Sequence, residues 1–198
     1  MSTDLATLIG SRICHDLISP IGAIGNGVEL LAMTGSAGDV SPELDLISQS
    51  VENANARIRY FRISFGATSS SQIMGRQEVL SVLSASAKGG RFNYFWQIQA
   101  DQPRPEIQIA FLVMQCFETA LPLGGDIHIQ KNGDTWELKG NGPRIVMEKE
   151  LWDSLHTPHS NFTHSPAQVQ FALLPSVLAR ADRALSLTLQ DETICASF

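Results

Sequence analysis

At 198 residues, with 43% hydrophobic content, the chain has the composition of an ordinary globular protein of one medium or two small domains. That composition excludes disorder as its main state. A formal net charge of -6 opposes binding to a nucleic-acid backbone, which rewards clustered Lys and Arg. The isolated cysteines Cys14, Cys116 and Cys195 sit in apolar contexts and read as reduced core thiols. There is no basic leader at the N-terminus, and no run reaches the ~18 apolar residues that a membrane helix needs. The expectation is a soluble, cytoplasmic chain with neither nucleic acid nor membrane as partner.

The first predicted helix begins near Thr3 or Asp4, either of which can cap it, and ends by Thr34-Gly35. Plotted at 100° per residue, Ile9, Ile13, Leu17, Pro20, Ile24, Val28 and Leu31 form one core-facing stripe. His15 falls on the opposite face, with Ser11, Gly22, Asn26 and Glu29 beside it and Ile18 and Ser19 at its edges. A histidine among small side chains leaves room for a second macromolecule. Asp16 can hold the Nδ1 proton and leave Nε2 as a neutral nucleophile. Pro20 removes a helical hydrogen bond, and Gly22, Gly25 and Gly27 each cost about 1 kcal/mol against alanine. Something other than helix stability is favoured here. Cys14 points 100° away from His15, which argues against a Cys-His nucleophile pair.

After a short connection at Gly35 to Val40, Ser41-Pro42-Glu43 supplies a capping hydroxyl, proline at the first helical position and an acid in the first turn. The second helix is therefore an antiparallel neighbour of the first. Leu44, Ile47, Val51, Ala54, Ile58, Phe61 and Phe65 alternate spacings of three and four, the seam of a helical bundle. That seam either packs on the domain that follows or, in the preferred reading, closes a four-helix bundle in a homodimer. Ala67 to Gln72 is polar and turn-rich, which places a boundary between a hairpin of residues 1–68 and a second domain of residues 73–198.

The segment Ser11-Arg12-Ile13-Cys14-His15-Asp16-Leu17-Ile18-Ser19-Pro20-Ile21-Gly22-Ala23-Ile24 resembles the phosphoacceptor box of two-component histidine kinases. Together with Tyr60-Phe61-Arg62-Ile63-Ser64-Phe65-Gly66-Ala67 it is similar to the ChpT-like histidine phosphotransferases.

In the second part, Arg76 to Lys88 reads as a helix, Phe92 to Gln99 as a strand and Pro105 to Leu121 as a buried helix. A hairpin turning at Asn132-Gly133 sets Ile129 against Trp136 and Ile127 against Leu138. Helices follow at Glu148 to Leu155 and Pro166 to Ala181. A last hairpin turning at Asp191-Glu192 sets Leu189 against Ile194, Leu187 against Ala196 and Leu185 against Phe198. This order implies an α+β sandwich with helices on one side of a five-stranded mixed sheet. It is similar to the ATP-binding domain of histidine kinases.

The nucleotide chemistry of such kinases is missing. Pro105 to Leu121 contains no Asn to help hold Mg²⁺. Lys139-Gly140-Asn141-Gly142-Pro143 contains no Asp-x-Gly-x-Gly, and Pro143 removes a backbone donor. Glu118 has the chemistry to coordinate a metal but, standing alone, reads as a helix-surface or capping carboxylate. His156, His159 and His164 with Asp153 match no tight metal spacing and read as a solvated loop in the position of the nucleotide lid.

The resemblance therefore implies a phosphotransferase without kinase activity. His15 carries the phosphoryl group, and Asp16 fixes its tautomer. Arg12 screens phosphate charge and Ser19 donates a hydrogen bond, while Ile18, Gly22 and Asn26 receive the partner's helix. The implied partners are the receiver domain of a hybrid histidine kinase and response regulators of the CtrA type. No cofactor is held by this chain, and Mg²⁺ belongs to the receiver. An inert scaffold that binds receivers and a divergent ATP-dependent kinase remain as alternatives.

Overall fold

A computed structural model describes residues 5–34, 41–156, 162–190 and 192–198. Helix α1, Leu5–Thr34, runs through Pro20, and helix α2, Ser41–Phe65, packs along it. The expected starts at Thr3 or Asp4 and the connection at Gly35 to Val40 lie outside the described residues.

The α1 stripe is largely as expected, with Pro20 buried and Ile9, Ile13, Leu17, Ile24 and Leu31 partly covered. Val28 is instead exposed, while Leu8 and Gly27 are buried. Gly27 explains the shift. A Cβ there would stand 2.6 Å from Ile47 Cγ1, so the missing side chain is what lets α2 approach. The expected seam of α2 is divided: Leu44, Val51 and Ile58 are exposed, Ile47, Ala54 and Phe65 are partly covered, and Phe61 is buried. Its inward face is built from Ser50, Ala56, Tyr60, Ile63 and Ser64, including two serines whose hydroxyls bond back to Leu46 O and Tyr60 O.

The polar stretch after α2 is exposed at Ala67 and at Ser69 to Gln72, but the end of α2 is firmly tied down. A helix C-terminus leaves carbonyls without intrahelical partners. Here Arg104 Nη2 donates to Arg62 O and Ile63 O, and Gln108 Nε2 donates to Ser64 O and Gly66 O. Both donors come from helix α4, Arg104–Ala120. Tyr60 and Phe111 rings meet at 5.0 Å, and one apolar core runs from the end of α2 into the sheet.

The second part contains β1 (Ile73–Met74), α3 (Arg76–Ala87), β2 (Phe92–Trp96), β3 (Gln102–Pro103), α4, β4 (Gly125–Asn132), β5 (Thr135–Asn141), α5 (Lys149–Asp153), a 3₁₀ turn (Pro166–Gln168), α6 (Val169–Arg180), β6 (Ser186–Gln190) and β7 (Thr193–Ser197). The five-stranded mixed sheet has the order β2-β4-β5-β7-β6, with β2 and β4 parallel and the other pairs antiparallel. This is the α+β class expected. Pairing of β1 with β3 was not legible, because two residues carry no periodicity.

The β4-β5 hairpin corrects the expected register. Ile129 faces Leu138 and Ile127 faces Gly140, because the turn is Gly133-Asp134 with Gly133 at φ 59°. That is the primed turn with glycine first, rather than Asn-Gly at both positive angles. The slip is two residues, so Ile127, Ile129, Trp136 and Leu138 stay on the buried face. In the last hairpin, Leu189 faces Ile194 and Leu187 faces Ala196 as expected; Asp191 lies outside the described residues. Strand β2 stops at Trp96, α5 is shorter than expected, and the helix placed at Pro166 begins as a 3₁₀ turn.

Candidate phosphotransfer site

His15 projects from the middle of α1 with 84% of its side chain exposed. Its Nδ1 lies 3.0 Å from Asp16 Oδ1. An ordered carboxylate at Nδ1 selects the tautomer that protonates this nitrogen and leaves the Nε2 lone pair free. Asp16 is itself held, since Arg12 Nε donates to Asp16 Oδ2 at 2.9 Å and Arg57 Nη1 lies 3.8 Å from the same oxygen.

Arg12 makes a second bond that the sequence did not suggest. Its Nη1 donates to the backbone carbonyl of Ala167, 2.9 Å away in the 3₁₀ turn that precedes α6. The residue assigned to phosphate screening is thus already engaged between the acceptor helix and the second part of the chain. Around His15, Ser11, Ile18, Ser19, Gly22, Asn26 and Glu29 are all exposed. A Cβ at Gly22 would meet nothing within 4 Å. The surface beside the imidazole is therefore low and open, with Ile18, 68% exposed, as its apolar contact.

With that surface in view, the comparisons decide the family. A family model described as the histidine phosphotransferase C-terminal domain matches residues 76–193. The chain belongs to the histidine phosphotransferase family. It is similar to protein phosphotransferase ChpT of Brucella abortus (strain 2308), at 33% identity over 146 residues, covering 73% of this chain and 66% of that protein. The chain thus spans just under two thirds of that relative. A solved bacterial phosphotransferase matches with a TM-score of 0.78 and 25% identity, over 98% of this chain and 95% of that one.

Family members are recognised through the second part, and there the structure corrects two readings. Glu118 is not a plain surface carboxylate. Its Oε1 accepts hydrogen bonds from Tyr60 OH at 3.0 Å and Tyr94 OH at 2.8 Å. Burial pushes its carboxyl above the usual range, and the tyrosine hydroxyls with the charges of Arg12 and Arg91 offset this only in part. Both tyrosines are raised by burial and by the carboxylate. His164 is half-buried, not solvated: its Nε2 lies 3.1 Å from Ser154 Oγ, and burial lowers its pKa. His159 lies outside the described residues. Among the described residues no group of three or more His, Cys, Asp or Glu stands close enough to hold a metal, and no helix is long and apolar enough to cross a membrane.

The cysteines divide. Cys116 is buried as expected, Cys195 is half-buried, and Cys14 is exposed because its position turns it off the α1 stripe.

Proposed function

We propose that this chain is a phosphohistidine carrier of a bacterial two-component phosphorelay, acting in the cytoplasm. His15 receives a phosphoryl group from the receiver aspartate of a hybrid histidine kinase and passes it to response regulators of the CtrA type. The observation that carries this reading is the exposed imidazole with Nδ1 3.0 Å from Asp16 Oδ1, on a face of small and uncovered residues.

In the transfer, the Nε2 lone pair attacks phosphorus in line. An N–P bond forms while the acyl phosphate P–O bond breaks, and the receiver aspartate leaves as a carboxylate. Nδ1 keeps its proton, and Asp16 balances the imidazolium charge that develops. Lewis acid and ammonium stabilisation of the phosphoryl oxygens come from the receiver, which brings its own Mg²⁺ and Lys. Ser19 stands one turn from His15 as a hydrogen-bond donor, while Ile18, Gly22 and Asn26 take the receiver's helix.

The hairpin of residues 1–68 also presents Leu44, Val51 and Ile58 of α2 and Ile21 and Val28 of α1 uncovered. Isolated apolar residues on a surface are ordinary, but a periodic stripe on both helices of one hairpin supports a four-helix bundle in a homodimer. Residues 73–198 then serve as a buttress without the kinase reaction.

The test is labelling of the purified chain with radiolabelled ATP alone and then with a phosphorylated receiver, beside His15→Ala. Acid-labile label is expected on the native chain only with the receiver present, and none on His15→Ala. Label from ATP alone would replace the reading by a kinase, and receiver binding without label would reduce it to a scaffold.

A further inference from the structure

Asp16 faces more positive charge than its hold on His15 requires. With 13% of its side chain exposed, it stands against three groups. Oδ1 lies against His15 Nδ1, and Oδ2 accepts the hydrogen bond from Arg12 Nε. The third group is Arg57 of α2, whose Nη1 is 3.8 Å from Oδ2. At that separation the contact is an ion pair without a hydrogen bond.

The two guanidiniums differ in what else they hold. Arg12 is committed at both ends, to Asp16 and to the Ala167 carbonyl, so it supplies geometry. Arg57 has half of its side chain exposed and donates no hydrogen bond to any described residue. An exposed ion pair of this length contributes little to stability. What Arg57 supplies is charge, brought from the second helix to the carboxylate beside the acceptor histidine.

That charge matters because a carboxylate acts on a neighbouring histidine in two opposed ways. It orients the ring through Nδ1, but it also favours the imidazolium, in which Nε2 carries a proton and has no lone pair to attack phosphorus. A cation on the far oxygen opposes the second effect and leaves the first intact, because Arg12 keeps the carboxylate in place. The other charges nearby do not take over this task. On α1, Glu29 shares the outer face but lies roughly 20 Å along the helix. The 3₁₀ turn before α6 offers Arg12 a carbonyl and no charge, and His164 beside it is pushed by burial toward its neutral form. Glu118 of α4 lies within electrostatic reach of Arg12, with its own charge weakened by burial.

We propose that Arg57 is a positioning residue of the transfer reaction: through Asp16 it keeps the His15 ring in the neutral form whose Nε2 can attack. The inference rests on the reading of His15 as the phosphoryl acceptor. Arg57 forms and breaks no bond; it changes only the protonation state in which the ring meets the receiver.

Two measurements on the full chain test it. Without a receiver, nitrogen-resolved NMR at about pH 6.5, near the ordinary histidine value, gives the ratio of doubly protonated to neutral His15 ring. Arg57→Gln is expected to raise that ratio about threefold, the effect of losing one solvent-screened charge at this range. Arg57→Lys keeps the charge without the planar fork and is expected to stay close to the native ratio. With a phosphorylated receiver, labelling of Arg57→Gln relative to the native chain is expected to be about two- to threefold lower at about pH 6 than at about pH 8. An unchanged ratio in Arg57→Gln, with the native chain labelled by the receiver, overturns this inference and leaves the relay standing. Equal losses of labelling in Arg57→Gln and Arg57→Lys at both pH values also overturn it, because a contact and not a charge would then be at work. A native chain that takes no label from the receiver removes the relay, and with it any role for Arg57 in transfer, even where the ring ratio moves.

Discussion

Arg12 joins the acceptor helix to the carbonyl of Ala167, 155 residues later, while its Nε holds Asp16. One guanidinium on α1 therefore holds the carboxylate beside His15 while it is itself tied to the 3₁₀ turn that precedes α6. Removing it frees Asp16 to swing and cuts a tie between the two parts of the chain. Arg12→Ala is expected to slow receiver-dependent labelling of His15 by about tenfold and to lower fold stability by about 1 kcal/mol. Arg12→Lys should recover part of the stability but little of the rate, because an ammonium cannot fork between two acceptors in fixed geometry. Equal rates in the native chain and Arg12→Ala, measured beside thermal melts, would remove Arg12 from any positioning role.

Asp16→Asn tests the next atom in the same line. The amide keeps the shape but loses the charge that balances imidazolium, and it can turn its NH₂ toward Nδ1 and favour the wrong tautomer. Transfer is expected to fall by roughly 10–100-fold, within the span of positioned acid–base groups, with receiver affinity little changed. Nitrogen-resolved NMR of the His15 ring gives the independent readout: the share of Nδ1-protonated neutral ring should drop.

Most of this line was legible in the sequence, and the reason is local. His15, Asp16 and Arg12 lie within one and a half turns, so helix periodicity alone puts them together. Glu118 was misread because its partners come from two other elements: Tyr60 on α2 and Tyr94 on β2, lying 58 and 24 residues away. No pattern in α4 announces that. The bond from Arg12 to Ala167 was hidden for a different reason, since a backbone carbonyl has no signature in sequence. The register of the β4-β5 hairpin was missed by two residues because Asn132-Gly133 and Gly133-Asp134 are both acceptable primed turns, and alternation is satisfied by either.

Gly22 and Gly27 look alike in sequence and differ in structure. A methyl group at Gly27 runs into Ile47 Cγ1 at 2.6 Å, whereas one at Gly22 meets open space. Gly22→Ala should stabilise the fold by up to about 1 kcal/mol through helix propensity. Gly27→Ala should instead destabilise it by about 1 kcal/mol, as overpacking outweighs that gain. Chemical denaturation distinguishes them. Gly22→Ala should nonetheless slow transfer from the receiver, since it raises the surface beside His15; unchanged kinetics would take Gly22 out of the docking face.

Two partly buried carboxyls give the stability profile opposite slopes. Burial alone would raise Glu106, but hydrogen bonds from Lys131, Trp136 and Arg183 outweigh it and hold the carboxyl below its ordinary range. Its folded state binds the proton less readily than the unfolded chain, so its contribution is present above the ordinary carboxyl range and is lost as pH falls through the depressed value. Glu118 runs the other way. Burial raises it, so the folded state holds the proton more tightly, and stability declines as pH rises from the ordinary carboxyl range through the raised value. Glu106→Gln should therefore cost about 2–4 kcal/mol near neutral pH, where it strands two cations, with the loss shrinking in acid. Glu118→Gln should cost least near neutral pH and most in acid, where the native carboxyl is already protonated. Denaturation series for the two variants across pH 3 to 8, an interval of about five decades in proton activity, should thus show differences from the native chain that slope in opposite directions; a flat difference for Glu118→Gln would show that the fold leaves this carboxyl unshifted, and a slope parallel to that of Glu106→Gln would show that it is lowered instead of raised.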